Sequence, residues 1–261
     1  MNPEKRLLLG SIAFLLALVP LSLPAGGEKE RLSAEFGRRI PKEWGEKVTG
    51  VRTRLKTDQK VLGLTFDACG SPKGKGYDAE IIDFLIKEKI PATLFISARW
   101  IDANPKIFSW LADQTLPEIG NHGLQHKPCS VNGRSVYGVT GTGSPAEVVD
   151  EIELNSRKIE QLTGRKPKFY RSGTAYYDEV SVEIAQKLGY EVAGFSVLGD
   201  QGATYSRSEV KNALLSAKPG AIVIMHMNHP EGGTAEGLKD AVPELKRRGF
   251  KFVKLSDFGL E

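Results

Sequence analysis

Residues 61–96 read VLGLTFDACGSPKGKGYDAEIIDFLIKEKIPATLFI. Residues 61–66 form a short apolar run with the length of a buried strand. Asp78 is placed to cap an amphipathic helix over 78–89, and 92–96 is a second apolar run of strand length. A strand, a helix and a strand in close succession make a βαβ unit, whose two strands lie parallel with the helix across one face.

The same alternation continues to the end of the chain. Helical patterns cover 105–113, 145–162 behind Ser144, 179–188 ending at Gly189, 207–216, and 235–248 ending at Gly249. Between them, strand patterns cover 116–119, 168–170, 191–196, 221–225 and 251–255. Seven short strands separated mostly by helices imply a parallel sheet, either closed as a barrel or doubly wound. Asp67, Asn121, His122, Arg171, Asp200 and His226 all fall at or just past the C-terminal ends of strands. Only a barrel brings all of those ends to one mouth, so a barrel is expected.

With 261 residues, 40% hydrophobic and 26% charged, the chain can bury one sizeable core. Its net charge of +4 is spread among acids, which gives no nucleic-acid footprint. Residues 1–25 stand apart: Lys5 and Arg6 precede an apolar run over 7–23, and Pro24-Ala25-Gly26-Gly27 supplies small residues. This reads as a secretory signal peptide, or else as an uncleaved anchor that would be the only membrane contact. Either way the remainder, an extension over 26–60 and a domain over 61–258, is expected outside the cytoplasm, secreted or periplasmic.

In an oxidising compartment the two cysteines, Cys69 and Cys129, tend to pair, and a Cys69–Cys129 disulfide is expected to tie two site loops together. Two small buried residues, or Cys69 as a metal ligand, are the alternatives. The four histidines fall in two clusters, His122 with His126 and His226 with His229. Imidazoles four residues apart can reach one zinc-type ion from a single turn of chain.

Thr65-Phe66-Asp67, His122-x3-His126, Arg171, Asp200 and Ile224-Met225-His226, in this order and spacing, resemble the NodB-homology polysaccharide deacetylases, carbohydrate esterase family 4. The resemblance runs over about 60–258 and implies a distorted (β/α)7 barrel. It further implies an enzyme that removes N-acetyl groups from a cell-envelope or extracellular glycan, peptidoglycan first, with a divalent metal, zinc first. By the same resemblance Asp67 is the base, His122 and His126 hold the metal, and His226 protonates the departing amine. Arg171 orients Asp67, Asp200 supports His226, and the Thr174 backbone N–H stabilises the oxyanion.

The chain departs from the family in two places. The family's second aspartate, a metal ligand, is replaced by Ala68, so a third donor must come from Asp78, Cys69 or His229; Asp78, at the start of the helix leaving that loop, is the expected substitute, although capping that helix is its ordinary role. The family's Arg-Pro-Pro-Tyr is here Arg171-Ser172-Gly173-Thr174. Loss of the aspartate at 68 also leaves room for a catalytically silent, glycan-binding relative, and a third reading moves the substrate to a small amide or an O-acetyl ester. The long loop over 127–143, with Arg134 and Tyr137, is expected to act as a substrate lid, Tyr176 and Tyr177 to stack on sugar rings, and Trp44, Trp100 and Trp110 to lie in the core.

Overall fold

The computed structural model describes residues 25–261, so the signal or anchor segment read over 1–25 lies almost wholly outside the described residues. Among the described residues no helix is long and apolar enough to cross a membrane. The elements follow as α1 (Ala25–Phe36), β1 (Val61–Ala68), α2 (Ala79–Lys87), β2 (Ala92–Ile96), α3 (Ala98–Ala103), α4 (Pro105–Asp113), β3 (Pro117–Asn121), β4 (Ser135–Val136) and β5 (Val139–Thr140). Then come α5 (Pro145–Thr163), β6 (Phe169–Tyr170), α6 (Glu179–Lys187), β7 (Glu191–Val192), β8 (Val197–Leu198), α7 (Arg207–Leu215), β9 (Ala221–His226), α8 (Thr234–Arg247) and β10 (Lys251–Val253).

The main sheet is parallel, in the order β7-β6-β3-β2-β1-β9-β8, and β10 pairs with the start of β1. β1 is buried along its whole length, which is why its sequence is a continuous apolar run rather than an alternation. Its two flanks differ: β9 runs beside it from Leu62 to Asp67, while the other flank is shared by β10 at 61–63 and β2 at 65–68. Two strands wedged along one edge of a third distort the barrel.

The strand expected over 191–196 is two strands, β7 and β8, and they form the two edges of the sheet. The segment starts beside β6 and finishes beside β9, so the sheet curls round until its edges are consecutive pieces of one stretch of chain. Pairing breaks between them because the carbonyls of Ala193 and Gly194 accept from the Arg171 guanidinium at 2.9 and 3.0 Å, and the Gly194 N–H turns to Arg52. Counted as one stave, this segment restores the expected seven.

The extension over 26–60 is built into the domain. Leu32 and Phe36 of α1 join a core cluster with Val148, Val149 and Ile152 of α5 and Val180 and Ile184 of α6, and Leu55 packs against Leu255 and Leu260. A cleft of about 230 Å³ lined by Arg165, Lys166, Lys168 and Lys254 opens near the N-terminal ends of β3 and β6, away from the strand ends that carry the site residues.

Candidate active site

Asp67 and His226 occupy matched positions in the β1–β9 ladder, so two candidate catalytic groups face the same mouth from neighbouring strands. Asp67 is held by Arg171, whose Nη1 donates to its Oδ1 at 2.8 Å. The guanidinium is fully buried, and its other donors go to Thr65 Oγ1 and to the Ala193 and Gly194 carbonyls; its plane lies over the Phe95 ring at 4.2 Å. With four of its five N–H donors engaged, this buried charge fixes the carboxylate in one orientation.

Asp200 does the same for His226. One carboxylate oxygen accepts from His226 Nδ1 at 2.8 Å, and the other accepts from the His226 N–H at 2.6 Å and from Thr234 Oγ1 at 3.1 Å. Burial works against the His226 imidazolium, but the Asp200 charge and hydrogen bond, with a further contribution from Cys69, outweigh it, so His226 holds its proton well above the usual imidazole range. His226 Nε2 faces the mouth, where the Cys69 thiol lies beside it.

The third group sits on the adjoining loops. His122 Nδ1 lies 3.0 Å from the Arg171 carbonyl. A carbonyl only accepts, so Nδ1 carries a proton and Nε2 is the nitrogen that faces inward, toward Cys69 Sγ at 3.8 Å and Asp67 Oδ2 at 3.6 Å; burial opposes the imidazolium, but the Asp67 charge and Cys69 raise His122 above the usual imidazole range. His126 Nε2 is buried with no hydrogen-bond partner, and His126 holds a left-handed backbone with φ of 59°. Donor atoms of Cys69, His122 and His126 all lie within 4.8 Å of one another. Such a buried, unsatisfied nitrogen beside a second imidazole nitrogen and a sulfur fits a divalent ion.

The turn carrying the two histidines is clasped from α5. Glu151, buried on that helix, accepts from the backbone N–H groups of Gln125 and Lys127, and Asn155 donates to Asn121 Oδ1, which in turn accepts from Gly123. Asn121 thus shapes the turn rather than facing the mouth. Gly173 lets the arginine loop press on the same turn: a Cβ there would lie 2.2 Å from the His126 carbonyl carbon. That contact accounts for the glycine at 173. The Thr174 hydroxyl is buried and unpartnered, and its amide enters no hydrogen bond among the described residues, which leaves that N–H available to an oxyanion.

Two expectations need correction. Asp78 caps α2, with Oδ1 accepting from the Glu80 and Ile81 N–H groups, and its carboxylate lies outside the donor cluster, where Cys69 stands instead. His229 likewise turns away, to Glu231. Nor are the cysteines joined: both are free and buried. Cys129 is committed to a different environment, its backbone bonded to Tyr176 and Asp178 and its thiol beside Tyr170 and Ser181, while Cys69 faces the histidines. Burial opposes ionisation of the Cys69 thiol, yet His126, His122 and His226 together bring it well below the usual thiol range, whereas burial pushes Cys129 up to about 12.

Around the mouth, β4 and β5 form a hairpin inside the 127–143 loop, and Tyr137 at its tip is 73% exposed. Tyr137 packs edge-on against Tyr176, which meets Trp44 in turn, while Arg134 lies over the Trp44 ring. Tyr177 is instead wholly buried and accepts from the Ser172 N–H; Trp100 is core, but Trp110 is on the surface.

A family model described as polysaccharide deacetylase matches residues 54–193. The chain belongs to the polysaccharide deacetylase family. Among curated relatives, this deacetylase-family chain is 24% identical to the peptidoglycan-N-acetylmuramic acid deacetylase of Bacillus subtilis, over 78% of this chain and 73% of that protein. It is 26% identical to a peptidoglycan-N-acetylglucosamine deacetylase of Bacillus cereus, over 79% and 92%. Among solved structures, a carbohydrate esterase family 4 pseudoenzyme from Bacillus anthracis shares the fold at a TM-score of 0.66 and 24% identity, covering 79% of this chain and 67% of that one.

Proposed function

We propose that this protein is an exported, metal-dependent hydrolase that removes N-acetyl groups from a cell-envelope polysaccharide, with peptidoglycan as the substrate class. The observation that carries the reading is the convergence of three groups at one mouth: Asp67 held by Arg171, His226 held by Asp200, and the imidazoles of His122 and His126 turned inward. An amide is a poor electrophile with a poor leaving group, so its hydrolysis needs polarisation, a base and an acid together. His122 and His126 would hold the divalent ion, which when bound would supply Lewis-acid polarisation of the acetyl carbonyl. Asp67 takes a proton from the attacking water, and Arg171 keeps its carboxylate aimed. The Thr174 N–H donates to the developing oxyanion. His226 then gives its Nε2 proton to the amine nitrogen as the carbon–nitrogen bond breaks, and Asp200 stabilises the imidazolium until that moment. Tyr137, Tyr176 and Trp44 give the mouth an aromatic wall on which sugar rings stack.

Export rests on the basic and apolar pattern of residues 1–23 and is tested by cell fractionation with N-terminal sequencing of the mature protein. The activity is tested by acetate release from N-acetylated peptidoglycan, with and without a chelator, followed by mass analysis of the sugars to separate glucosamine from muramic acid products. Chelator-sensitive release is expected. No release from any acetylated glycan by metal-loaded protein would favour the second reading, a silent glycan-binding relative, to which Ala68 points.

A further inference from the structure

We propose that Cys69 is the third protein ligand of the metal, so that this chain builds a thiolate and bis-imidazole centre; the proposal rests on the metal-dependent reading above. Side chains alternate along a strand, so Asp67 and Cys69 leave the end of β1 on the same side, while Ala68 between them packs into the hydrophobic core. The sulfur therefore stands with the base, beside both histidines. Its separation from His122 Nε2, 3.8 Å, is close to the roughly 3.6 Å that a nitrogen and a sulfur keep when both bind one tetrahedral zinc at ordinary bond lengths.

The surroundings hold the sulfur in place. Ser97 Oγ donates to the Cys69 carbonyl at 2.7 Å, its N–H donates to the Ala68 carbonyl, and Gly70 turns the chain sharply away with φ of 72°. A thiolate also carries the single negative charge that the absent aspartate would have brought, so net charge at the metal is conserved while the donor changes from hard oxygen to soft sulfur. A nucleophilic thiol would have use for one imidazole; here His122 Nε2 and a ring nitrogen of His126 both lie within 4.8 Å of the sulfur and of each other. Three protein ligands with one open position is the arrangement of catalytic zinc, and sulfur selects zinc or cobalt over magnesium, calcium or manganese.

Cobalt substitution reads the ligand directly. The full-length protein, stripped of metal and reloaded with Co(II), is expected to show a thiolate-to-cobalt charge-transfer band in the near ultraviolet. Cys69→Ser should lose that band and bind cobalt more weakly by over about 100-fold, beyond the penalty typical of losing an outer-sphere partner, whereas Cys129→Ser should keep both. Cys69→Asp, a variant that preserves charge should the serine protein misfold, should bind the ion without the band. Cobalt bound with no charge-transfer band in the wild type overturns the thiolate ligand and leaves the metal-dependent reading intact. Failure to bind cobalt or zinc at all overturns both.

Discussion

Asp67 and His226 are direct neighbours in the β1–β9 ladder, and each is oriented by one buried partner of opposite charge, Arg171 and Asp200 respectively. The proposed base and acid thus stand on neighbouring strands at a fixed separation, each aimed by its partner. Asp67→Asn keeps the hydrogen bond from Arg171 but cannot take a proton. Its kcat for acetate release should fall by about 10²- to 10⁴-fold while zinc content and circular dichroism stay unchanged. Activity within a fewfold of wild type would remove Asp67 from the base role.

Asp200→Asn should shift the pH–rate profile without abolishing the reaction. A general acid works while protonated, so activity persists with rising pH until His226 loses its proton, and the Asp200 charge keeps that point well above the usual imidazole range. Removing the charge lowers it, and the alkaline limb of kcat should move to lower pH while the acidic limb stays. An alkaline limb that does not move would mean that another group protonates the amine.

The succession of strands along the chain and the placing of Asp67 and His226 at strand ends were readable because both depend on local patterns. Continuous apolar runs marked β1, β2 and β9, and their C-terminal ends carried Asp67 and His226. What was hidden depends on distant partners. Nothing in residues 191–198 signals that two carbonyls there serve Arg171 instead of a ladder, so one strand was expected where two occur. Helix α1 is largely polar and gains its place from Leu32 and Phe36 packing on α5 and α6. Asp78 and Cys69 were both within reach of the missing-ligand position, and the period-two alternation from Asp67 to Cys69 was the signal that could have chosen between them. Glu151 gave no signal, since a carboxylate in the middle of a helix is ordinarily solvated.

The exposed aromatic tip offers a test of glycan length. Tyr137→Ala removes the outermost ring of the Trp44–Tyr176–Tyr137 wall without touching the donor cluster. Stacking of this kind contributes about 1 kcal/mol, so KM for a long glycan should rise roughly fivefold to tenfold with kcat little changed. A short acetylated substrate that cannot reach the hairpin should be hydrolysed as before. Equal losses on both substrates would assign Tyr137 to folding of the loop instead.

Glu151 links stability to pH through the turn that carries His122 and His126. Burial pushes its carboxyl up to about 7, the backbone N–H groups of Gln125 and Lys127 offsetting only part of the cost. Between the ordinary glutamate value and about 7, the folded chain keeps a proton that the unfolded chain has lost, so stability must fall as pH rises across that window. The contribution is complete below the ordinary value and is gone once pH passes the folded one; the difference corresponds to about 3 kcal/mol at most. Glu151→Gln carries no titrating group and should flatten this slope. Urea denaturation of the metal-free protein at pH about 5 and about 8 reads it directly, since the midpoint should drop with pH more steeply in wild type than in the variant. Identical pH slopes in the two proteins would mean that Glu151 is ionised in the fold throughout, with its N–H partners fully compensating its burial.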